Sequence, residues 1–283
     1  MDATVAGRTA RTLETLHALC YFAPEVDQEV AALGVRPGRS TYFASRAAAM
    51  GAVGPGPVAA TFFVFSPSLV AKLLPPAWAA ATPADVVAAR LRGVDAAYRR
   101  LLGEEVLASA EVAEAAELVR RAATDADPAG RALFAAHADL AWPEEPHLAL
   151  WHGLTLLREH RGDGHVAVLL AQGLSGLEAL VTHTATGTGF TRPAAQATRG
   201  WSDEQWAAAV DALVERGLLT TEEELTDAGR DLRAAVEDAT DTLAVAPWSR
   251  LGEDGRARLH EIGKPLVVRA LKAGAFPDGV FAR

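Results

Sequence analysis

Apolar positions recur at helical spacing along most of the chain. Thr9–Phe22 carries Leu13, Leu16 and Leu19 on one stripe, and Pro24 closes it. Pro24–Leu33 predicts a short helix stopped by Gly34. Thr41–Gly51 predicts another, followed by the breakers Gly54-Pro55-Gly56-Pro57. Val58–Phe65 is apolar almost throughout and reads as buried. Pro67 opens a helix to Leu74, ended by Pro75-Pro76, and Thr82-Pro83 open a long one over Ala84–Leu102. Further on, Trp151–His160 is helical, Arg161-Gly162-Asp163-Gly164 breaks it, and His165–Ala171 forms a short apolar helix. Ser175 caps a helix to Thr184. Thr186–Arg199, rich in Gly, Thr and Pro, predicts a loop. Few segments alternate with period two, so the fold class is mainly α with short β-hairpin wings.

One stretch is more specific. Ser202 caps an amphipathic helix to Arg216, Gly217 ends it, and Leu218-Leu219 start a strand. After the polar Thr220–Glu224, Leu225-Thr226 return into a helix over Asp227–Leu243. Helix, "RGLL", polar hairpin and "LTDAGRDL" is the order of a MarR-type winged helix. The helices His165–Ala171 and Ser175–Thr184 then take the place of the preceding helix-turn-helix. A shift of 108 sets Gly56-Pro57-Val58-Ala59 on Gly164-His165-Val166-Ala167, and one of 120 sets Thr82-Pro83 on Ser202-Asp203. This predicts tandem, pseudo-duplicated winged helix-turn-helix-like units. Residues 1–125 form the first, and 126–283 form the second with a helical tail. Asp125–Gly130 is the expected linker.

The phrases "YFASRAAAMG" (Tyr42–Gly51), "ATFFVFSPSLV" (Ala60–Val70), "LWHGLTLLREHRGDGH" (Leu150–His165), "RGWSDEQW" (Arg199–Trp206) and "EDATDTLAVAPW" (Glu237–Trp248) run across most of the chain. In them the sequence resembles the actinobacterial helix-turn-helix proteins known as SalK-like. The resemblance implies a tandem, winged-helix-like, all-α architecture. It does not by itself imply an activity. Ala49 stands where the family phrase has proline.

Charge narrows the function. The net charge is −9, and three carboxylates, Glu222-Glu223-Glu224, occupy the wing where a DNA reader needs Arg or Lys. The helix before it offers Asp203, Glu204, Asp211 and Glu215 against Arg216. DNA binding is therefore disfavoured, and its best remaining carrier is the arginine-rich segment Arg90–Arg100. Half the residues are apolar and 22% charged, which excludes disorder. Cys20 is the only cysteine, so an internal disulfide is excluded, and it reads as a small core residue. No apolar run reaches the ~18–20 residues of a membrane span, and the N-terminus lacks a signal-peptide layout, so a cytoplasmic location is expected. There is no phosphate loop, no GxSxG elbow and no dinucleotide fingerprint.

Candidate chemistry concentrates in Arg158–His165, where six ionisable residues surround two glycines. Three readings stand. In the first, Arg158 and Arg161 pair with Glu159 and Asp163 as a structural clasp. In the second, His160, Asp163 and His165 hold a divalent metal, Zn or non-haem Fe, with His147 and His152 in reserve. In the third, Arg158 or Arg161 binds an anionic small molecule, with His160, Asp163 or His165 as acid–base groups. Tyr42, Phe62 and Phe65 near Arg46 suggest the apolar walls of that pocket, between the two halves, with Glu159 beside them. The leading reading is a small-molecule-binding winged-helix protein, with catalysis left open. The alternative is a ligand-responsive DNA-binding regulator.

Overall fold

A computed structural model describes residues 2–279, and among these the chain is helical with no β-strand. Helix α1 (Ala3–Ala18) is capped by Asp2, whose carboxylate accepts from the Thr4 N–H. It runs into one 3₁₀ turn, Leu19–Tyr21, and stops ahead of α2 (Pro24–Ala31). Next come α3 (Arg39–Ala47), α4 (Pro55–Phe62), α5 (Pro67–Ala80) and α6 (Pro83–Leu102). Proline opens α2, α4 and α6, where its missing N–H costs nothing. Pro75 and Pro76 do not end α5. Beyond them Ala77 is buried in the core and the Trp78 indole donates to the Val53 carbonyl at 2.9 Å, which holds the helix to Ala80.

The middle of the chain carries α7 (Glu104–Leu107), α8 (Ala110–Ala123), α9 (Ala132–Ala138) and α10 (Pro146–Ala171). Asp125–Gly130 is irregular. Helix α10 is continuous for 26 residues, so the expected break at Arg161–Gly164 is absent. Glycine in a helix costs only about 1 kcal/mol against alanine. A Cβ on Gly164 would lie 2.7 Å from the Arg131 guanidinium, the far end of a flexible side chain. Since Gly164 is inside α10 while Gly56 is in the first turn of α4, the two glycines of the supposed repeat do not sit in matching turns.

Helices α11 (Gly176–Thr184), α12 (Arg192–Arg199), α13 (Asp203–Glu215), α14 (Asp227–Leu243), α15 (Val245–Ser249) and α16 (Gly252–Lys272) complete the chain. Ser175–Glu178 and Ser202–Gln205 form reciprocal capping boxes on α11 and α13. Helix α12 lies in the segment expected to be a loop. The expected strands reduce to one antiparallel bridge, Leu219 with Leu225, so no hairpin wing of regular strands forms among the described residues.

Two compact units emerge, each assembled from separate stretches of chain rather than divided at residue 125. Unit 1 comprises Met1–Val53, Leu73–Gly164 and Asp241–Phe276. Its core includes Leu13, Leu16, Val119, Leu150 and Leu259. Unit 2 is mainly Gly54–Lys72 and His165–Thr240, around Leu169, Leu180, Trp206, Leu213 and Val236. In unit 2 a Cβ on Gly176 would sit 2.0 Å from the Phe63 carbonyl oxygen, whereas one on Gly56 meets nothing within 4 Å. Gly176→Ala is accordingly expected to cost about 1–3 kcal/mol through overpacking, and Gly56→Ala nothing. Equal melting temperatures for the two variants would contradict this packing.

Candidate functional site

At 100° per residue, a continuous α10 sends the ionisable residues of 158–165 to different neighbours. Glu159 points inward and is almost fully buried; its Oε2 accepts from Arg158 at 2.7 Å and from Arg46 at 3.5 Å. Burial opposes ionisation, but Arg158 and then Arg46 outweigh it and hold the carboxyl well below the usual range. Arg161 pairs with Asp241 at 2.9 Å, not with Asp163, and Arg11 reaches the same carboxylate at 3.1 Å. Asp163 accepts from the backbone N–H groups of Leu133 (3.0 Å) and Phe134 (2.9 Å), capping α9 from a distance. Burial raises its pKa, against the pull of those N–H groups. Of the expected pairings, only that of Arg158 with its neighbour Glu159 forms.

The metal reading is corrected by the same geometry. The His160 ring packs edge-on against Phe134 with centroids 5.1 Å apart, Asp163 serves α9, and in unit 2 His165 Nδ1 bonds the Thr240 hydroxyl at 2.8 Å. His147 bonds Asp95 at 2.6 Å, and His152 packs edge-on against Trp142. No set of three or more His, Cys, Asp or Glu side chains suited to a metal occurs among the described residues. The acid–base roles expected of His160, Asp163 and His165 lose their common site for the same reason.

Unit 1 instead gathers Arg46, Arg158 and Glu159 with Tyr21, Tyr42 and His17, and sequence reasoning had left Tyr21 and His17 out of this group. Arg46 donates to the Tyr42 hydroxyl at 3.0 Å, and both Arg46 and Arg158 lie over the Tyr21 ring, at 5.6 and 5.7 Å. The Thr155 hydroxyl donates to the Trp151 carbonyl, so it accepts from His17 Nδ1–H at 3.0 Å. His17 Nε2 is then the acceptor for the Tyr21 hydroxyl at 2.7 Å. Burial, reinforced by Arg158, keeps this imidazole neutral. The sequence signal for His17 was its place on the apolar stripe of α1, between Leu13 and Cys20.

A cleft of about 20 Å³ opens beside this group. Leu13, Leu154, Leu157 and Trp248 line it together with Glu14, His17, Arg158 and Arg161, and the surface they present to it is almost wholly apolar. That volume takes one water-sized group. Phe62 and Phe65, expected to wall the same pocket as Tyr42, belong to unit 2, where their rings are 6.2 Å apart and Arg199 lies over Phe65 at 4.9 Å.

Unit 2 carries a different geometry. Helices α12 and α13 are joined by the three residues Gly200-Trp201-Ser202. Gly200 takes a left-handed conformation (φ +75°) and would drive a Cβ into Leu69. The Trp201 indole donates to the Val64 carbonyl at 2.9 Å, and Gln196 on α12 donates to Asp203 on α13 at 2.7 Å. The outward face of α13 exposes Asp203, Glu204, Asp211 and Glu215. Arg216 is engaged by Glu178, and Arg192 by Glu223. The arginines of α6 offer no replacement: Arg90 is buried, and Arg92, Arg99 and Arg100 pair with Glu29, Asp95 and Glu25.

Helix α11 packs on α13 with α12 between them in the chain, an order that fits a helix-turn-helix protein. The chain belongs to the helix-turn-helix family whose model matches residues 6–277. Comparison with curated proteins and with solved structures found no match. Among the described residues no single helix is long and apolar enough to cross a membrane.

Proposed function

We propose that this helix-turn-helix protein binds the anionic group of a small organic molecule at the Arg158 cleft of unit 1. The observation that supports this is the asymmetric pairing of Arg158. On its inner side the guanidinium is held by buried Glu159 at 2.7 Å, and on its outer side only by the half-exposed Glu14 at 3.5 Å. An incoming carboxylate or phosphate takes the place of Glu14 and gains a charge-assisted hydrogen bond to Arg158. The cleft takes one water-sized group, so an oxygen of the anion enters between Leu13, Leu154, Leu157 and Trp248 and the rest of the molecule stays outside. Arg46 acts through Glu159, as a positioning residue. His160, Asp163 and His165 have other partners and receive no catalytic role. The MarR-type winged character, the tandem arrangement and the SalK-like kinship rest on the quoted phrases and on the order helix, turn, helix, bridge.

Family membership favours a second reading, a regulator that contacts DNA through α12 and α13, and the acidic face of α13 opposes it. Calorimetric titration with benzoate and phenyl phosphate tests the first. Glu14→Gln should tighten binding severalfold by removing the internal competitor, and Arg158→Met should abolish it. Equal affinity in wild type and Arg158→Met would overturn the assignment. Retention on random duplex at low salt would support the second reading.

A further inference from the structure

Arg90 lies on the inward stripe of α6, among Val86, Ala89, Gly93, Val94 and Ala97, and is 4% exposed. Its contacts are unusual for a buried guanidinium. Nη1 lies 3.2 Å from His137 Nε2, Nη2 lies 3.8 Å from the Cys20 sulfur, and the group stacks over Trp151 at 4.8 Å. Nε has no hydrogen-bond partner. No carboxylate among the described residues forms an ion pair with Arg90.

None of these neighbours supplies negative charge. His137 Nδ1 is 2.9 Å from the Leu133 carbonyl, which only accepts, so Nδ1 carries the ring proton and Nε2 accepts from Arg90. The imidazole is therefore neutral. Burial pushes the Cys20 thiol up, which keeps it protonated. Nearby, Arg46 and Arg158 are matched by Glu159 and Glu14, two charges against two. Arg90 is one positive charge in excess. An uncompensated charge in a low-dielectric interior is strongly unfavourable.

We propose that Arg90 holds a monovalent inorganic anion of halide size inside unit 1, with the ring of His152 as its second donor. His152 is also buried, and its Nε2 likewise has no hydrogen-bond partner. His152 is near enough to Arg90 for that charge to help push its pKa down, after burial and His137. Its neutral ring is free to carry a proton on Nε2, because no other group fixes that tautomer. Few N–H donors between a thiol and aromatic rings suit a weakly hydrated single charge. A divalent phosphate or sulfate would need more donors to offset its larger desolvation cost. The site uses a different guanidinium from the Arg158 cleft and does not depend on that reading.

The experiment compares thermal unfolding in sodium bromide and in sodium gluconate at equal ionic strength, for wild type, Arg90→Met and Arg158→Met. Bromide binding to the native state should raise the wild-type midpoint by about 2–5 °C. Arg158→Met should keep that difference and Arg90→Met should lose it. Equal wild-type midpoints in the two salts, or an undiminished bromide response in Arg90→Met, would overturn the proposal. If Arg90→Met does not fold, bromide anomalous scattering from wild-type crystals decides. A peak in contact with the Arg90 guanidinium is expected, and its absence rejects the site.

Discussion

Glu159→Ala is expected to lower stability by about 3–5 kcal/mol, the cost of leaving a buried charge without its partner. The carboxylate is nearly inaccessible and compensates Arg46 and Arg158 together. Removing it leaves Arg158 with only Glu14, more distant and half exposed. Glu159→Gln should cost nearly as much, because the amide keeps the shape and loses the charge. Asp163→Ala is the comparison. Asp163 caps α9 and forms no ion pair with Arg158 or Arg161, so its loss should cost about 1 kcal/mol, the usual value of a cap. Urea titration of the three variants measures the ordering. Asp163→Ala as damaging as Glu159→Ala would mean that the charge balance of unit 1 has been misread.

Mild acid is expected to destabilise the protein well above the range where carboxylates titrate. Burial, with help from neighbouring cations, lowers His137 to about 4, His152 to about 3 and His160 to about 4. In the unfolded chain each titrates near 6.5. As pH falls below about 6.5 the unfolded chain takes up protons that the native state refuses, so stability declines toward pH 4 and is complete above 6.5. Each histidine contributes up to about 3 kcal/mol across that window, and His17 acts in the same direction. Glu159 stays ionised in the native state throughout, so its own contribution is lost only at lower pH. Melting temperatures between pH 7.5 and 4.5 test this, and a flat profile would refute it.

Local chemistry was legible wherever a residue acts on its own turn. Proline openings predicted the starts of α5 and α6, Ser175 and Ser202 predicted α11 and α13, and α14 follows the predicted bounds. The failures share a cause. Gly162 and Gly164 favour a break locally, but α10 is held by partners far along the chain, Asp241 for Arg161 and the α9 backbone for Asp163. Helix α12 was hidden because Pro193 and its Gly- and Thr-rich surroundings suggest a loop, although proline is well suited to a first helical turn. At the site, Arg46, Arg158 and Glu159 were identified and do meet. Arg90 was assigned to a DNA-facing surface, yet its position four residues after Val86 and four before Val94 already set it on the buried stripe. Asp241 lies some 80 positions from Arg161 in sequence, beyond any local pattern.

The interleaving of unit 1 also fixes an order of events during synthesis. His17 meets Thr155 across 138 positions, Arg46 meets Glu159 across 113, and Arg11 meets Asp241 across 230. At translation rates of about 5–20 residues per second, α1 waits on the order of tens of seconds for the segment that carries Asp241. Most of unit 2 has been made by then, since Gly54–Lys72 and His165–Thr240 both precede Asp241. The Asp241 ion pairs of unit 1 therefore close after His17–Thr155 and Arg46–Glu159, and until α16 follows, part of the apolar face of α1 with Leu13 and Leu16 is left for a chaperone or the ribosome surface to shield.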